Sequence, residues 1–525
     1  GLAAGFIRPG VTKADQLDHH NTVRHDLNTL FKEPHPLNSS WNLISICVRR
    51  ALTLLEQTEG VDPDKLGVEG HSMGGRSTVI SCIDPRVKAA SPSVGGSGYL
   101  YDDLWGLPGS ARRMTEEDGS ALYRKCVSAQ SHWPHVTVPT LFLGSTNDFN
   151  SPTEWVVKGM SKLPPETERM LVLAPHLNHR FTDQTSAARF MWMEAHLKKS
   201  FRFPKVSPAE LVLDTDNGIP LFRVQVDQST SLPVKEVEIY YGYARDPRIR
   251  FWRSAKVRKS GNFYEGECSV FDSAEPLFAF ANLTYEMPKA LPPRPGTEAT
   301  KLLTLSSEYR TAYPEDLRKS KTKPTEKPNR LIDDFSGGWQ DWYRLNSRNP
   351  HHWLFATRKI VDPAWIGPKQ GEFGLEIETF GDGNQLGVQL NVNDWQGYTG
   401  RKRDTFVALV NLPKAGLHSL SLTVSQFRNL NGQAMKDWDE ATEILLSPAN
   451  RTENPRARKI NWNGKPPRLV KLEWLGGKMI ERPHPHQNRG KIKSGIRVSF
   501  DEEFQSAIKD SVELEELDED QATKP

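Results

Sequence analysis

The residues with the clearest chemical potential are a serine held among glycines and, far downstream, an acid and two histidines. Lys65-Leu66-Gly67-Val68-Glu69-Gly70-His71-Ser72-Met73-Gly74-Gly75 runs from a short apolar segment through Gly-x-Ser-x-Gly into a helix-compatible segment. A serine hydroxyl is a poor nucleophile until a base takes its proton, and a carboxylate fixes that base's tautomer. The candidate bases are His176 and His179, in Pro175-His176-Leu177-Asn178-His179-Arg180-Phe181. The candidate acids are Asp148, in Ser145-Thr146-Asn147-Asp148-Phe149-Asn150, and its rivals Asp102, Asp103 and Glu154. Such a set supports acyl transfer through a covalent serine intermediate.

The elements around these residues must present them together. Ser72 needs a strained turn between strand and helix, the pattern of a nucleophile elbow. Gly70 and Gly74 are expected there because a side chain at either would collide with the neighbouring strand or helix. The Met73 amide opens the following helix and would face an oxyanion formed by attack from Ser72. Upstream, Trp41, Ile44, Cys47, Val48, Ala51, Leu52 and Leu55 form an apolar stripe at helical spacing over about 40–58. Strands are expected at 87–94, 138–144 and 169–174, with helices following the elbow and over about 152–162 and 183–198. The alternation predicts a mainly parallel sheet covered on both faces. Asp148 and His179 follow successive strands, so both can reach Ser72. Asp102 and Asp103 fall in 95–135, which reads as a solvated insertion over the site. Glu154 falls in the first turn of a helix, where its charge suits the dipole.

The order Ser, Asp, His is that of the α/β-hydrolases. Residues 40–200 resemble that superfamily, and specifically its dienelactone hydrolase and acetyl xylan esterase-like branch. Asn178-His179-Arg180-Phe181 resembles the His-x-Phe loop of that branch, which selects His179 over His176. His176 is then left to hydrogen bonding within the loop. The resemblance implies hydrolysis of a carboxylic ester. Ser72 would attack the acyl carbon, His179 would act as base and then acid, and Asp148 would orient His179. No metal or other cofactor is implied. The branch places several strands before its elbow strand, together with a loop that gives a second oxyanion amide. Only residues 1–64 precede Lys65 here. The chain is therefore expected to be N-terminally incomplete, with a sheet edge uncovered, and its activity as it stands is in question. One lost oxyanion donor costs about 3 kcal/mol of transition-state stabilisation.

Composition bounds the rest. The 525 residues carry a net charge of +3, so a basic nucleic-acid surface is not expected. Mean hydropathy is −0.58, and no stretch is long and apolar enough to span a bilayer. Cys47, Cys82, Cys126 and Cys268 fit no metal spacing and are expected as free, mostly buried thiols. His19, His20, His25 and His35 are expected as solvated loop histidines. A secreted or periplasmic protein is expected, acting on a small-molecule or polysaccharide ester.

The expected architecture is an α/β-hydrolase domain at 1–202 followed by two all-β units. The first is a small β-sandwich at 203–290, then a linker at 291–330 rich in Pro, Lys, Glu and Thr. The second is a jelly-roll-like β-sandwich at 331–510, before an acidic disordered tail at 511–525. The last unit resembles galactose-binding-like jelly rolls. Trp339, Trp342, Trp353, Trp365, Trp395 and Tyr398 are candidates to stack on sugars, with core packing the commoner fate of each. Asp333 and Asp334 are a weak candidate for structural calcium. Two other functions stay open at this stage. One is a serine peptidase pairing an α/β-hydrolase core with β-sandwiches. The other is a carbohydrate-binding protein carrying a non-functional hydrolase remnant.

Overall fold

The computed structural model describes residues 40–99, 121–200, 202–227, 229–292, 298–345, 353–392, 404–439, 441–449 and 461–479. His19, His20, His25, His35, Asp102, Asp103, Trp395, Tyr398 and the acidic tail lie outside the described residues.

The apolar stripe near residue 40 forms α1 (Ser40–Glu56). Trp41, Ile44 and Leu52 are buried, and the Arg76 guanidinium sits 3.8 Å from the Trp41 ring centroid. The expected stripe is wider than the surface it covers. Cys47 is exposed, and Val48, Ala51 and Leu55 are only half-buried.

Four strands follow: β1 (Leu66–His71), β2 (Val87–Ser93), β3 (Thr140–Ser145) and β4 (Arg169–Ala174). They pair in sequence order, all parallel. Between and after them run α2 (Met73–Ser81), α3 (Ala121–Cys126), α4 (Thr153–Ser161) and α5 (Asp183–Leu197). Parallel neighbours need such crossovers, and the helices bury both faces of the sheet. One face packs Leu66, Val87, Ala90 and Phe142 against Leu52, Val79, Val156 and Met160. The other packs Ala89, Leu141, Leu143 and Val172 against Ala188, Met191 and Trp192 of α5. A capping box starts α5: Thr182 Oγ1 accepts from the Thr185 amide at 3.2 Å, and Thr185 Oγ1 accepts from the Thr182 amide at 3.1 Å. That cap fixes where the loop after β4 ends.

Beyond α5 the chain is antiparallel. Ala209–Val212, Leu221–Gln225, Phe263–Glu267 and Arg258–Ser260 make one sheet. Val234–Gly242, Arg253–Ala255, Leu277–Leu291, Thr300–Ser306 and Arg310–Ala312 make a second. Part of the expected 291–330 linker is therefore ordered structure. It holds the last two of those strands and a short helix, Pro314–Lys319. The physical reason is alternation: Leu303 and Leu305 point inward at 0% and 2% exposure, among polar residues that mask the pattern. These leucines share one apolar cluster with Phe222 and Ile239 and with Trp192 of α5. The β4 edge is also covered. The Leu173 amide donates to Ser306 Oγ at 2.8 Å, and Asn282 Nδ2 donates to the Leu173 carbonyl at 3.0 Å.

Two further antiparallel sheets lie beyond residue 331. One contains Leu331–Asp333, Arg468–Lys478, Lys369–Thr379 and Gly416–Thr423. The other contains Tyr343–Leu345, Leu354–Thr357, Ala441–Pro448, Asn384–Val392 and Asp404–Leu412. Phe373, Leu375 and Leu472 from the first share a core with Leu386, Val388 and Ile444 from the second. Trp342 and Trp353, candidates for sugar stacking, belong to this core at 5% and 0% exposure. Trp339 and Trp365 pack against it half-buried. Asp333 is not arranged for calcium: its Oδ2 accepts from Trp342 Nε1 at 2.8 Å and lies 3.5 Å from the Lys359 ammonium, which supplies the cation.

An ionic seam joins this unit to the preceding one. Arg253 is forked onto Asp362 at 2.7 and 2.8 Å and also meets Glu326 at 2.8 Å. Tyr243 Oη donates to the same Asp362 at 3.1 Å. The four cysteines are free thiols, with Cys82 and Cys268 buried. Burial pushes the Cys82 thiol up to about 12.

Candidate active site

Ser72 lies between the end of β1 and the first turn of α2, with φ at 59° and ψ at −112°. An L-residue adopts that backbone only where the surroundings impose it. A Cβ on Gly70 would lie 2.3 Å from the Gly74 carbonyl, so glycine is required there. The expectation for Gly74 is corrected, because a Cβ at that position would meet nothing within 4 Å. The second tight approach is at Gly75, where a Cβ would sit 2.6 Å from the Ser93 carbonyl oxygen of β2. The helix turns its next residue, not Gly74, toward the sheet. Met73 is the first residue of α2, and first-turn amides have no intrahelical acceptor. Its side chain is 38% exposed.

The loops after β3 and β4 bring the other two residues to Ser72. His179 Nε2 is 2.9 Å from Ser72 Oγ, and His179 Nδ1 is 3.1 Å from Asp148 Oδ2. Asp148 is fully buried. Its Oδ1 accepts from the amides of Asn150 at 2.6 Å and Ser151 at 2.9 Å. The two amides and the imidazole satisfy the buried carboxylate's acceptor oxygens where water does not reach. The His179 ring is packed by Phe149 and His71, with centroids 4.9 and 5.2 Å away. Phe181 meets the His71 ring edge-on at 5.3 Å. The packing of His71, together with the nearby His179, holds the His71 imidazole low, at about 4, although its rim stays exposed.

The rivals go elsewhere. His176 is buried and faces Tyr240 and Phe251, with ring centroids 6.1 and 5.6 Å away. Its Nε2 has no hydrogen-bond partner, and burial drives its pKa down to about 4. Its hydrogen bond in the loop is made by its backbone amide, which donates to Thr146 Oγ1 at 2.8 Å. Glu154 sits in the first turn of α4 and pairs with Arg250 at 2.7 Å. Sequence reasoning missed Asn147, Phe149 and His71. The Gly-x-Ser-x-Gly spacing places His71 beside the serine, but Asn147 and Phe149 carry no local signal.

The geometry is that of a hydroxyl, an imidazole and a carboxylate in line, able to shuttle a proton from oxygen to nitrogen. Among the described residues, no group of three or more His, Cys, Asp or Glu is arranged to hold a metal. No described helix is long and apolar enough to cross a membrane.

No family model matches the chain, and no curated protein does. Solved structures give partial likenesses. One is a 2,6-dihydroxy-pseudo-oxynicotine hydrolase at 21% identity, covering 30% of this chain and 48% of that one, with a TM-score of 0.24. An acetyl xylan esterase from a Paenibacillus species gives 19% identity, 31% and 55% coverage, and 0.27. The Pyrococcus horikoshii acylaminoacyl peptidase gives 17%, 32%, 29% and 0.26. The chain thus spans about half the length of the first two. Likeness at this level carries no functional weight. The parallel sheet with a serine on its strand-to-helix turn is itself an α/β-hydrolase-like region.

Proposed function

We propose that this protein is a serine hydrolase that cleaves small carboxylic esters through an acyl-serine intermediate. The observation that carries the reading is the continuous line from Ser72 Oγ through His179 to Asp148, at 2.9 and 3.1 Å. Ser72 Oγ attacks the ester carbonyl as His179 Nε2 takes its proton. The Met73 amide donates to the oxyanion. His179 then returns the proton to the leaving alcohol. Water, deprotonated by the same imidazole, attacks the acyl carbon; the acyl-serine bond breaks as His179 returns that proton to Ser72 Oγ, and the acid is released. Asp148 holds the imidazole in the tautomer with hydrogen on Nδ1 and stabilises the cation. The sheet pairs at 203–312 and 331–479 are read as two β-sandwich units appended to this core.

A fluorophosphonate probe should label Ser72 and no other serine, and p-nitrophenyl acetate should be hydrolysed. His179→Ala should lower kcat about a thousandfold or more, and His176→Ala far less. Labelling that survives Ser72→Ala would end the assignment, and the reverse ranking of the two histidines would move the base to His176.

A further inference from the structure

The loop that carries Asp148 is gripped on both sides by a single loop of the middle β-region. Asn147 precedes Asp148 and is 1% exposed. Its amide nitrogen donates to the carbonyl oxygens of Pro247 at 2.9 Å and Arg250 at 2.8 Å. Its Oδ1 accepts from Thr146 Oγ1 at 3.0 Å, and that same hydroxyl oxygen accepts from the His176 amide. One side chain therefore links the acid loop, the histidine loop and a segment about a hundred residues away. Six residues after Asp148, Glu154 accepts from Arg250 Nη1 at 2.7 Å and from Tyr309 Oη at 3.0 Å.

The gripping loop is itself stiff. Asp246 accepts from the Arg248 amide at 3.0 Å and from its guanidinium at 2.8 and 2.6 Å. The Arg250 side chain is wholly buried, donates to the Ala244 carbonyl at 2.7 Å, and lies 3.5 Å from the Phe278 ring centroid. The amides of Asn150 and Ser151 fix the Asp148 carboxylate within its own loop, but they do not fix that loop relative to Ser72. Three bonds tie it to neighbouring loops: the backbone amides of Asn147 and Phe149 donate to the Leu177 carbonyl at 3.1 Å and to Asn178 Oδ1 at 3.1 Å, and Asn150 Nδ2 donates to the Val94 carbonyl at 3.3 Å. The grip at Asn147 and Glu154 adds a buried tie from behind, to a separate sheet region.

We propose that Asn147 is a positioning residue for Asp148, and that residues 244–252 of the middle β-region are the anchor it works from. The proposal rests on the serine hydrolase reading for its kinetic consequence but not for its geometry. It makes the middle β-region part of the support of the site and not only an appended unit.

The test is Asn147→Asp in the full chain. This variant keeps the shape and replaces two donors by an acceptor facing two carbonyl oxygens. Two measurements are made on protein shown by circular dichroism to be folded. The first is p-nitrophenyl acetate turnover, where kcat should fall about 100-fold with KM unchanged. The second is the low-field proton resonance of the His179 Nδ1–H···Asp148 bond, which should shift or broaden without any turnover being needed. A merely structural residue would move neither in folded protein. If Asn147→Asp does not fold, Glu154→Gln loosens the other grip at constant volume, with kcat falling about tenfold and the same resonance moving. A folded Asn147→Asp with wild-type kcat and an unmoved resonance overturns the proposal, as does Glu154→Gln unchanged on both counts where the first variant fails to fold. A wild type with no such resonance also overturns it. A wild type that no fluorophosphonate labels, but whose resonance moves in Asn147→Asp, sinks the hydrolase reading and leaves the positioning role standing.

Discussion

Thr300–Ser306 reaches the α/β region through leucines, whereas the sheets beyond residue 331 reach their neighbour through ions and an edge-on ring contact of Phe251 with Trp365 at 5.6 Å. In the first case Leu303 and Leu305 enter the same cluster as Trp192 of α5, and Ser306 covers the backbone of β4. Apolar area removed from water stabilises in proportion to its size and does not depend on angle. In the second case Arg253 is buried with Asp362 against the ring of Trp365 at 4.5 Å, and it also meets the half-buried Glu326. Taking two charges out of water offsets most of what their attraction returns. Such a seam fixes orientation more than it adds stability. The parallel sheet and the middle region should therefore melt as one unit, with the last unit able to leave.

The comparison can be broken at its ionic side first. Asp362→Ala leaves the buried Arg253 guanidinium with Glu326 alone and the Tyr243 hydroxyl without its acceptor, and the loss should be about 3–5 kcal/mol. Denaturant unfolding should then separate into two transitions, with that at 331–479 least changed. A single unsplit transition would mean that the two β-regions are as fused as the first pair. On the apolar side, Leu305→Ala should cost about 3 kcal/mol and lower the transition of the α/β and middle regions together. If only one of two resolved transitions moves, the shared core is not cooperative.

The smallest effect sharpens the contact between the loop after β4 and the middle region. Burial lowers the folded pKa of His176 to about 4, beneath its ordinary value of 6.5. A depressed histidine pKa means that the folded state resists the proton. This contribution is intact above pH 6.5, and stability falls as pH drops from there toward 4. The loss reaches about 2 kcal/mol at pH 5. His176→Phe should remove its share of that slope, while His71, also held at about 4, keeps its own. An unchanged slope would show that water reaches the ring.

Much of the α/β region is legible because its signals are local. The run ending in Gly70-His71-Ser72 announces strand, turn and helix, and Asp148 and His179 follow runs that are recognisably strands. His179 is preferred to His176 through Phe181, whose ring does pack into the site. Other features are hidden for physical reasons. Gly74 and Gly75 are equivalent in one dimension, and only the helix phase decides which approaches β2. Leu303 and Leu305 alternate over too few residues to stand out beside Pro, Lys and Glu. Trp342 and Trp353 have the same composition whether they face a sugar or a core. Asn147 is the extreme case, since both of its acceptors are backbone carbonyls and any residue could supply them.

The distance along the chain between Asn147 and its acceptors, 100 and 103 residues, has a consequence for synthesis. A ribosome adds about 5–20 residues per second. Asp148 is synthesised roughly 5–20 seconds, and His179 roughly 3–14 seconds, before the peptide groups that tether the acid loop. During that interval the nascent α/β region carries every reactive group but not the brace behind them. The brace arrives late, on completion of a part of the chain that contributes no atom to the Ser72–His179–Asp148 line.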